Sequence, residues 1–297
     1  MLVRDKYYSK SAKILWKRPL IWTIYCTLIV VLFKEFGFEL SIPLAIPSIL
    51  GTAISLFLGF RTNSAYQRWW EARKIWGEII NNSRTLARQT IHFTIGKSDQ
   101  LAARQQIVKR QIAWNWALAY RLRNLGWSTE TESYINKSEI ESLKEADHIP
   151  NQILTLQQQS LTSMVKSELI DDFYLRKIDS TLKELCDSMG KCERIKSTVF
   201  PTQYALFTLV FIVIFLILLP LGLVSHLGYL SIPVHLAIGF TFGMIQGIAE
   251  SMQNPFDNKP NDIPMFSICR TVERNLLEMM GKSELPEPIQ ATDGVLM

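Results

Sequence analysis

Apolar residues collect in four stretches, and between the second and third of them the pattern changes to a helical alternation. The first stretch is Leu20–Phe33, "LIWTIYCTLIVVLF", and it extends to Phe38 if Lys34 and Glu35 turn their charged ends to an interface. The second is Leu44–Phe60, with Pro47 near its start, and the third, Tyr204–Val224, is the most continuous. The fourth, Ile232–Ile248, is rich in glycine and closed by Glu250. Leu44–Phe60 holds 17 residues, about 26 Å of helix, just short of the hydrocarbon core of a bilayer. Short polar turns, "KEFGFELS" and "SHLGYLS", join the stretches in pairs, so the pattern predicts two membrane hairpins.

Residues 61–200 contain no apolar run of membrane length. Ile107, Trp114, Leu118 and Leu122 recur there at helical spacing, which predicts a helical domain in water. The expected fold is therefore all-α: a polytopic membrane protein with four transmembrane helices in two hairpins and a helical cytosolic domain. Residues 1–60 would form an N-terminal amphipathic segment and the first hairpin, and residues 61–200 the cytosolic domain. Residues 201–250 would form the second hairpin, and 251–297 a cytosolic helix and a C-terminal arm that orders only where it docks.

One stretch carries two patterns at once. In "GTAISLFLGFRTNSAYQRWWEAR", residues 51–73, a membrane helix runs into a cluster of charges with no terminator. Gly51, Ser55 and Gly59 share one line of that helix, and Thr52, Leu56 and Phe60 share the line beside it. Helices in lipid approach closely through small residues, so the first line reads as a packing face, within the chain or between subunits. If it meets a neighbouring subunit, the second line faces a symmetry axis. Rings of such side chains make a narrow apolar collar that gates by dewetting. Core or lipid contact is the plainer use of such a stripe.

Composition agrees with a membrane protein that has a large water-facing part. Hydrophobic residues make up 48% of the 297 and charged residues 20%, with a mean hydropathy of +0.10. Before the first stretch lie Arg4, Lys6, Lys10, Lys13, Lys17 and Arg18 against the single acid Asp5. After the second lie Arg61, Arg68, Arg73 and Lys74, whereas the two hairpin turns hold one basic residue, Lys34. That bias places both termini and the helical domain in the cytoplasm. The first apolar run starts only near Leu20 after a basic lead-in, so no cleavable signal peptide is expected.

Catalytic chemistry finds no foothold. His92, His148, His226 and His235 lack metal-ligand spacing, and no Walker loop, GxSxG or GxGxxG occurs. Cys26, Cys186, Cys192 and Cys269 form no CxxC and read as ordinary reduced thiols. A net charge of +5 spread along the chain, with no zinc finger or basic arm, gives no support to nucleic-acid binding. The expectation is a protein that is not an enzyme and uses no cofactor or metal.

Three blocks resemble the bestrophin family, in its bacterial branch. They are "ILGTAISLFLGFRTNSAYQRWWEARKIWGEIINNSRTLARQ", then "GKCERI" with "TVFPTQYALF", then "NPFDNKPNDIPMFSICRTVERNLLEM". They come in family order, with the four apolar stretches falling between them. The resemblance implies a homopentameric channel whose partners are its own copies, membrane lipid and permeating ions. It implies an apolar neck at Thr52, Leu56 and Phe60, with Thr52 standing where the family commonly has Ile. It also implies a second aperture at Phe173 in "DDFYLRK". Animal members follow the equivalent NPF with acids that help cage Ca²⁺. Here "NPFDNKPND" offers only Asp257 and Asp262, a vestigial loop too poor in carboxylates for a hard cation.

Three functions compete on these grounds: an ion channel, a membrane-anchored scaffold without a pore, and an enzyme for which no site appears. An uncharged collar selects by dehydration cost, which favours weakly hydrated anions such as chloride. Asp171 and Asp172 would favour cations such as sodium if they lined the aperture.

Overall fold

A computed structural model of the chain describes residues 17–93, 101–198, 202–292 and 294–296. Its elements are α1 (Lys17–Lys34), α2 (Ala45–His92), α3 (Leu101–Leu122), α4 (Thr129–Glu132), α5 (Lys137–Glu145), α6 (Ile149–Lys166), α7 (Asp172–Ser197), α8 (Thr202–Leu227), α9 (Ser231–Met252) and α10 (Met265–Met279). A single 3-10 turn, Gly228–Leu230, separates α8 from α9. Among the described residues no strand forms, only an isolated bridge between Thr292 and Val295. The protein is all-α. The amphipathic segment expected before Lys17 lies outside the described residues.

Two compact units make up the chain: Leu2–Trp69 with Val199–Asn254, and Trp70–Thr198 with Pro255–Met297. The long helix α2 contributes to both. Its 48 residues span about 72 Å without interruption. The sequence explains the continuity, because its one proline after the opening residues is Pro47, in the first turn where no intrahelical N–H is lost.

The first unit has an apolar core and an apolar outer surface, with a few buried polar groups such as Arg61, Ser231 and His235. Ile54 and Leu58 of α2 pack with Ile212, Phe215, Leu216, Leu219 and Leu223 of α8. Cys26 and Val30 of α1 meet Val224. Outside that core, α1 exposes Leu20, Ile21, Ile24 and Leu28, and α8 exposes Leu206, Phe207, Val210 and Ile217. A surface so apolar requires lipid or a partner. Ala45–His92 and the run Leu206–Met252 are long and apolar enough to cross a membrane, and Leu20–Lys34 is apolar but shorter.

Backbone polar groups here are satisfied locally, as an apolar setting demands. Ser48, Thr52 and Ser55 return their hydroxyls to the carbonyls of Leu44, Ser48 and Gly51 at 2.8, 2.9 and 2.8 Å. Pro220 interrupts the hydrogen-bond ladder of α8, and nearby carbonyls find outside donors. Tyr25 Oη donates to Ile217 O at 2.9 Å, and the Ile42 amide to Leu221 O at 3.1 Å. At the turns, α1 stops at Lys34 rather than reaching Phe38. Gly37 takes φ +69°, and the Phe38 amide closes on Leu32 O at 3.2 Å. The two hairpin turns also meet, Tyr229 Oη donating to the Glu35 carboxylate.

The second unit has a conventional core around α3. Ile107, Trp114, Leu118 and Leu122 are all buried there, at the helical spacing read from the sequence. A polar network runs through that core. Gln111 Nε2 and Asn115 Nδ2 donate to Ser83 Oγ at 2.9 and 3.2 Å, and Gln157 Nε2 donates to Gln111 Oε1 at 3.2 Å. Buried Glu273 accepts from Trp116 Nε1 at 3.3 Å and from Tyr134 Oη at 2.6 Å, tying α3 to α10. The C-terminal arm docks on this unit. Leu285 and Ile289 pack on its core, and Arg274 Nη1 donates to Pro286 O.

Candidate functional site

The stripe read from the sequence lies on the open side of α2. Leu56 and Phe60 are 62% and 60% exposed, whereas Ile54 and Leu58 are each 1% exposed in the core. One helix therefore turns one apolar line inward and another outward within the same few turns. Thr52 shares the outward line with Leu56 and Phe60. Its hydroxyl is already spent on Ser48 O, so it adds less polarity to that face than a free hydroxyl would.

The small-residue line splits in two. Gly51 is packed inside the unit, where a Cβ would come within 3.0 Å of Phe215 Cε2. Gly59 faces open space. With Ser55 it lines a groove of about 470 Å³, closed on the other side by Ala237, Thr241 and Ile245 of α9. The groove is apolar and floored by small side chains, a shape that admits a bulky neighbour.

Phe173 opens α7 and is 61% exposed. Its ring meets Tyr174 edge-on at 5.6 Å, and Lys177 Nζ lies 5.7 Å from its centroid. Of the two acids beside it, Asp171 is the helix cap, accepting the Phe173 amide at 2.7 Å. That duty commits one of its oxygens to the backbone.

The loop carrying Asp257 and Asp262 is occupied by the protein's own basic and amide groups. Asp257 pairs with Lys196 at 2.9 Å and Lys259 at 3.4 Å. Asp262, 1% exposed, accepts the Lys259 amide at 3.0 Å. Burial pushes its carboxyl above the ordinary value, partly opposed by that amide. Arg123 stands over the Phe266 ring at 3.9 Å; burial lowers its pKa, and the charge of Asp262 works the other way. Among the described residues no three His, Cys, Asp or Glu side chains gather as a metal site.

Two features escaped the sequence reading. Arg61, read as a boundary charge, is 3% exposed and donates from Nη1 to Gln246 Oε1 at 2.7 Å. Its position gave the signal, because Ile54, Leu58, Arg61 and Ala65 follow one buried line. His235 is fully buried one turn after Ser231, and no histidine spacing announced it.

The outward apolar surface and the long apolar helices define a helical membrane protein. A profile of bacterial and fungal bestrophins matches residues 10–278, and the chain belongs to the bestrophin family. It is 31% identical over 275 residues to the voltage-dependent anion channel-forming protein alr2987 of Nostoc sp., covering 91% of this chain and 88% of that one. It is 31% identical over 242 residues to the voltage-dependent anion channel-forming protein YneE of Escherichia coli K12, covering 82% and 78%. The crystal structure of a bestrophin homologue from Klebsiella pneumoniae superposes with a TM-score of 0.83 at 29% identity, covering 90% of this chain and 98% of that one. The family and these relatives are channels, not enzymes.

Proposed function

We propose that this protein is a pore-forming channel that passes small monovalent anions, chloride among them, through an apolar neck of Thr52, Leu56 and Phe60. The observation that carries the reading is the outward stripe on α2. A helix that already buries Ile54 and Leu58 within its own chain presents a second line of large apolar side chains to something else. In a ring of subunits that line becomes stacked collars over about 12 Å, wide enough for water only when the side chains part. The relatives named as voltage-dependent anion channel-forming proteins support the same reading.

The architecture proposed with it is a homopentamer crossing the inner membrane four times per subunit. Its termini and the Trp70–Thr198 unit face the cytoplasm, and Phe173 sets a second aperture. Ser55 and Gly59 receive the neighbouring subunit in the groove they line with α9, so Ser55→Leu fills that groove and disperses the ring. Light scattering on the solubilised protein reads the outcome, and a monomeric wild type removes the ring. Asp257 and Asp262 serve as a structural turn, and channel opening is expected to persist in a calcium chelator.

Conduction is tested by single-channel recording of the purified protein in a planar bilayer under a KCl gradient. Discrete steps reversing toward the chloride potential support the proposal. A cation-conducting pore of the same architecture is the second reading, favoured by Asp172 beside the exposed Phe173, and reversal toward the potassium potential would establish it. Absence of steps under all conditions would leave a membrane-anchored scaffold.

A further inference from the structure

Arg61 follows Phe60 directly, yet the two side chains have opposite surroundings: Phe60 is 60% exposed and Arg61 is 3% exposed. Among the described residues the guanidinium makes one hydrogen bond, from Nη1 to Gln246 Oε1 at 2.7 Å. Its Nε is buried without an acceptor among the described residues. Arg61 has no ion pair among them; the acid nearest in sequence to its partner is Glu250, one turn further along α9 and exposed. An amide dipole holds a guanidinium in place but cannot cancel its charge. Arg110 is paired with Glu139, whereas Arg123, also buried, stands over the Phe266 ring within the field of Asp262. An ionised side chain kept inside a membrane-embedded bundle without a counter-charge is a mark of function rather than of stability.

We propose that Arg61 is a specificity-determining residue: a buried, uncancelled cation behind the inner end of the neck that raises the local potential and favours anions over cations. The inference rests on reading Thr52, Leu56 and Phe60 as the neck. Consecutive residues lie about 100° apart on a helix, so the charge stands roughly one helix diameter, about 10 Å, from the axis that Phe60 faces. Protein rather than water fills that space, which lets the field reach the neck with little screening. Gln246 is the positioning residue that fixes the guanidinium against α9. In a ring the effect repeats at every subunit, at the level where an ion has already shed water.

The test is the reversal potential of the full-length protein in planar bilayers under a KCl gradient. For a single charge at that distance and an effective dielectric of 20 to 40, each ion's passage changes about 4- to 15-fold and in opposite directions. Arg61→Gln therefore lowers the chloride-to-potassium permeability ratio about 15- to 250-fold, whichever ion the wild type prefers. Arg61→Lys keeps the charge and keeps the ratio. Gln246→Glu leaves Arg61 in place but supplies the missing counter-charge, so it shifts the ratio in the same direction as Arg61→Gln. That variant carries the test even if Arg61→Gln fails to assemble. A conducting Gln246→Glu channel with an unchanged ratio overturns the inference. Phe60→Ala, measured alongside, separates this from the neck itself. If it alters conductance while Gln246→Glu leaves the ratio alone, the neck stands and the role of Arg61 falls. If Phe60→Ala leaves the current untouched, both fall.

Discussion

Arg110 and Arg61 are both almost fully buried, and the protein handles them in opposite ways. Arg110, 5% exposed, pairs with Glu139 through two nitrogens and donates from Nη1 to Leu156 O at 3.0 Å and Ser160 Oγ at 2.5 Å. Arg61, 3% exposed, has one partner among the described residues, and it is neutral. In the first case a charge is cancelled and its donors are used to join α3, α5 and α6. In the second the charge survives burial. A folding unit has every reason to neutralise a buried cation, because an uncompensated one costs several kcal/mol. Arg123 also lacks an ion pair among the described residues, though it faces the Phe266 ring near the charge of Asp262. Of these two, Arg61 lies on the helix that carries the outward stripe, where its charge has another use.

The comparison breaks first at Arg110. Glu139→Ala strands a guanidinium whose side chain is 6% exposed, and is expected to destabilise the Trp70–Thr198 unit by about 4 kcal/mol. Glu139→Gln, which keeps an acceptor, loses less. Denaturant unfolding of the solubilised protein measures both, and an unchanged midpoint in Glu139→Ala would mean that the pair stabilises nothing.

Next come the two faces of α2. Ile54→Ala empties a core site against Phe215 and its neighbours, and is expected to cost about 3 kcal/mol with little change in current. Leu56→Ala removes an exposed side chain, so stability hardly moves while conductance or open probability rises. Should Ile54→Ala alter the current as strongly as Leu56→Ala does, the helix is rotated from the assignment made above. Arg61→Gln runs the other way: it exchanges one amide-bonded donor for another and removes an uncompensated buried cation, so the unfolding midpoint is expected to rise rather than fall.

Much of this was legible along the chain. The helical class, the long unbroken α2 and the core positions of α3 follow from periodicity and from the placement of prolines. The stripes on α2 follow from 3.6-residue arithmetic. Which stripe faces inward does not, because both are apolar and lipid removes the polar contrast that marks an outer face in water. Gly51, Ser55 and Gly59 look equivalent by spacing, yet Gly51 meets Phe215, a residue far away in sequence. The Ser83, Gln111, Asn115 and Gln157 network likewise joins segments whose meeting no local pattern records. Asp171 was readable: an aspartate just before a helix is a cap signal, and the Phe173 amide confirms it.

The smallest expected effect lies at the surface, where solvent supplies what Glu139 supplies inside. Trp127 Nε1 donates to Glu132 Oε2 at 2.6 Å, and Lys144 Nζ approaches the same oxygen at 3.0 Å. The Trp127 bond first, then Lys144, hold the Glu132 carboxyl below its ordinary 4.5. A depressed folded pKa means that the unfolded chain takes up the proton first. The stabilisation is therefore present above pH 4.5 and is lost as pH falls through the lower folded value. Glu132→Gln keeps an acceptor for Trp127 but cannot ionise, so it lowers the unfolding midpoint slightly at neutral pH, and the gap to wild type closes in acid. Because both charged groups are well exposed, raising the salt concentration at neutral pH should close the same gap. A gap that persisted in acid and in salt would show a packing loss at Trp127 instead, and the contrast between surface and buried pairing would have to rest on Arg110 and Arg61 alone.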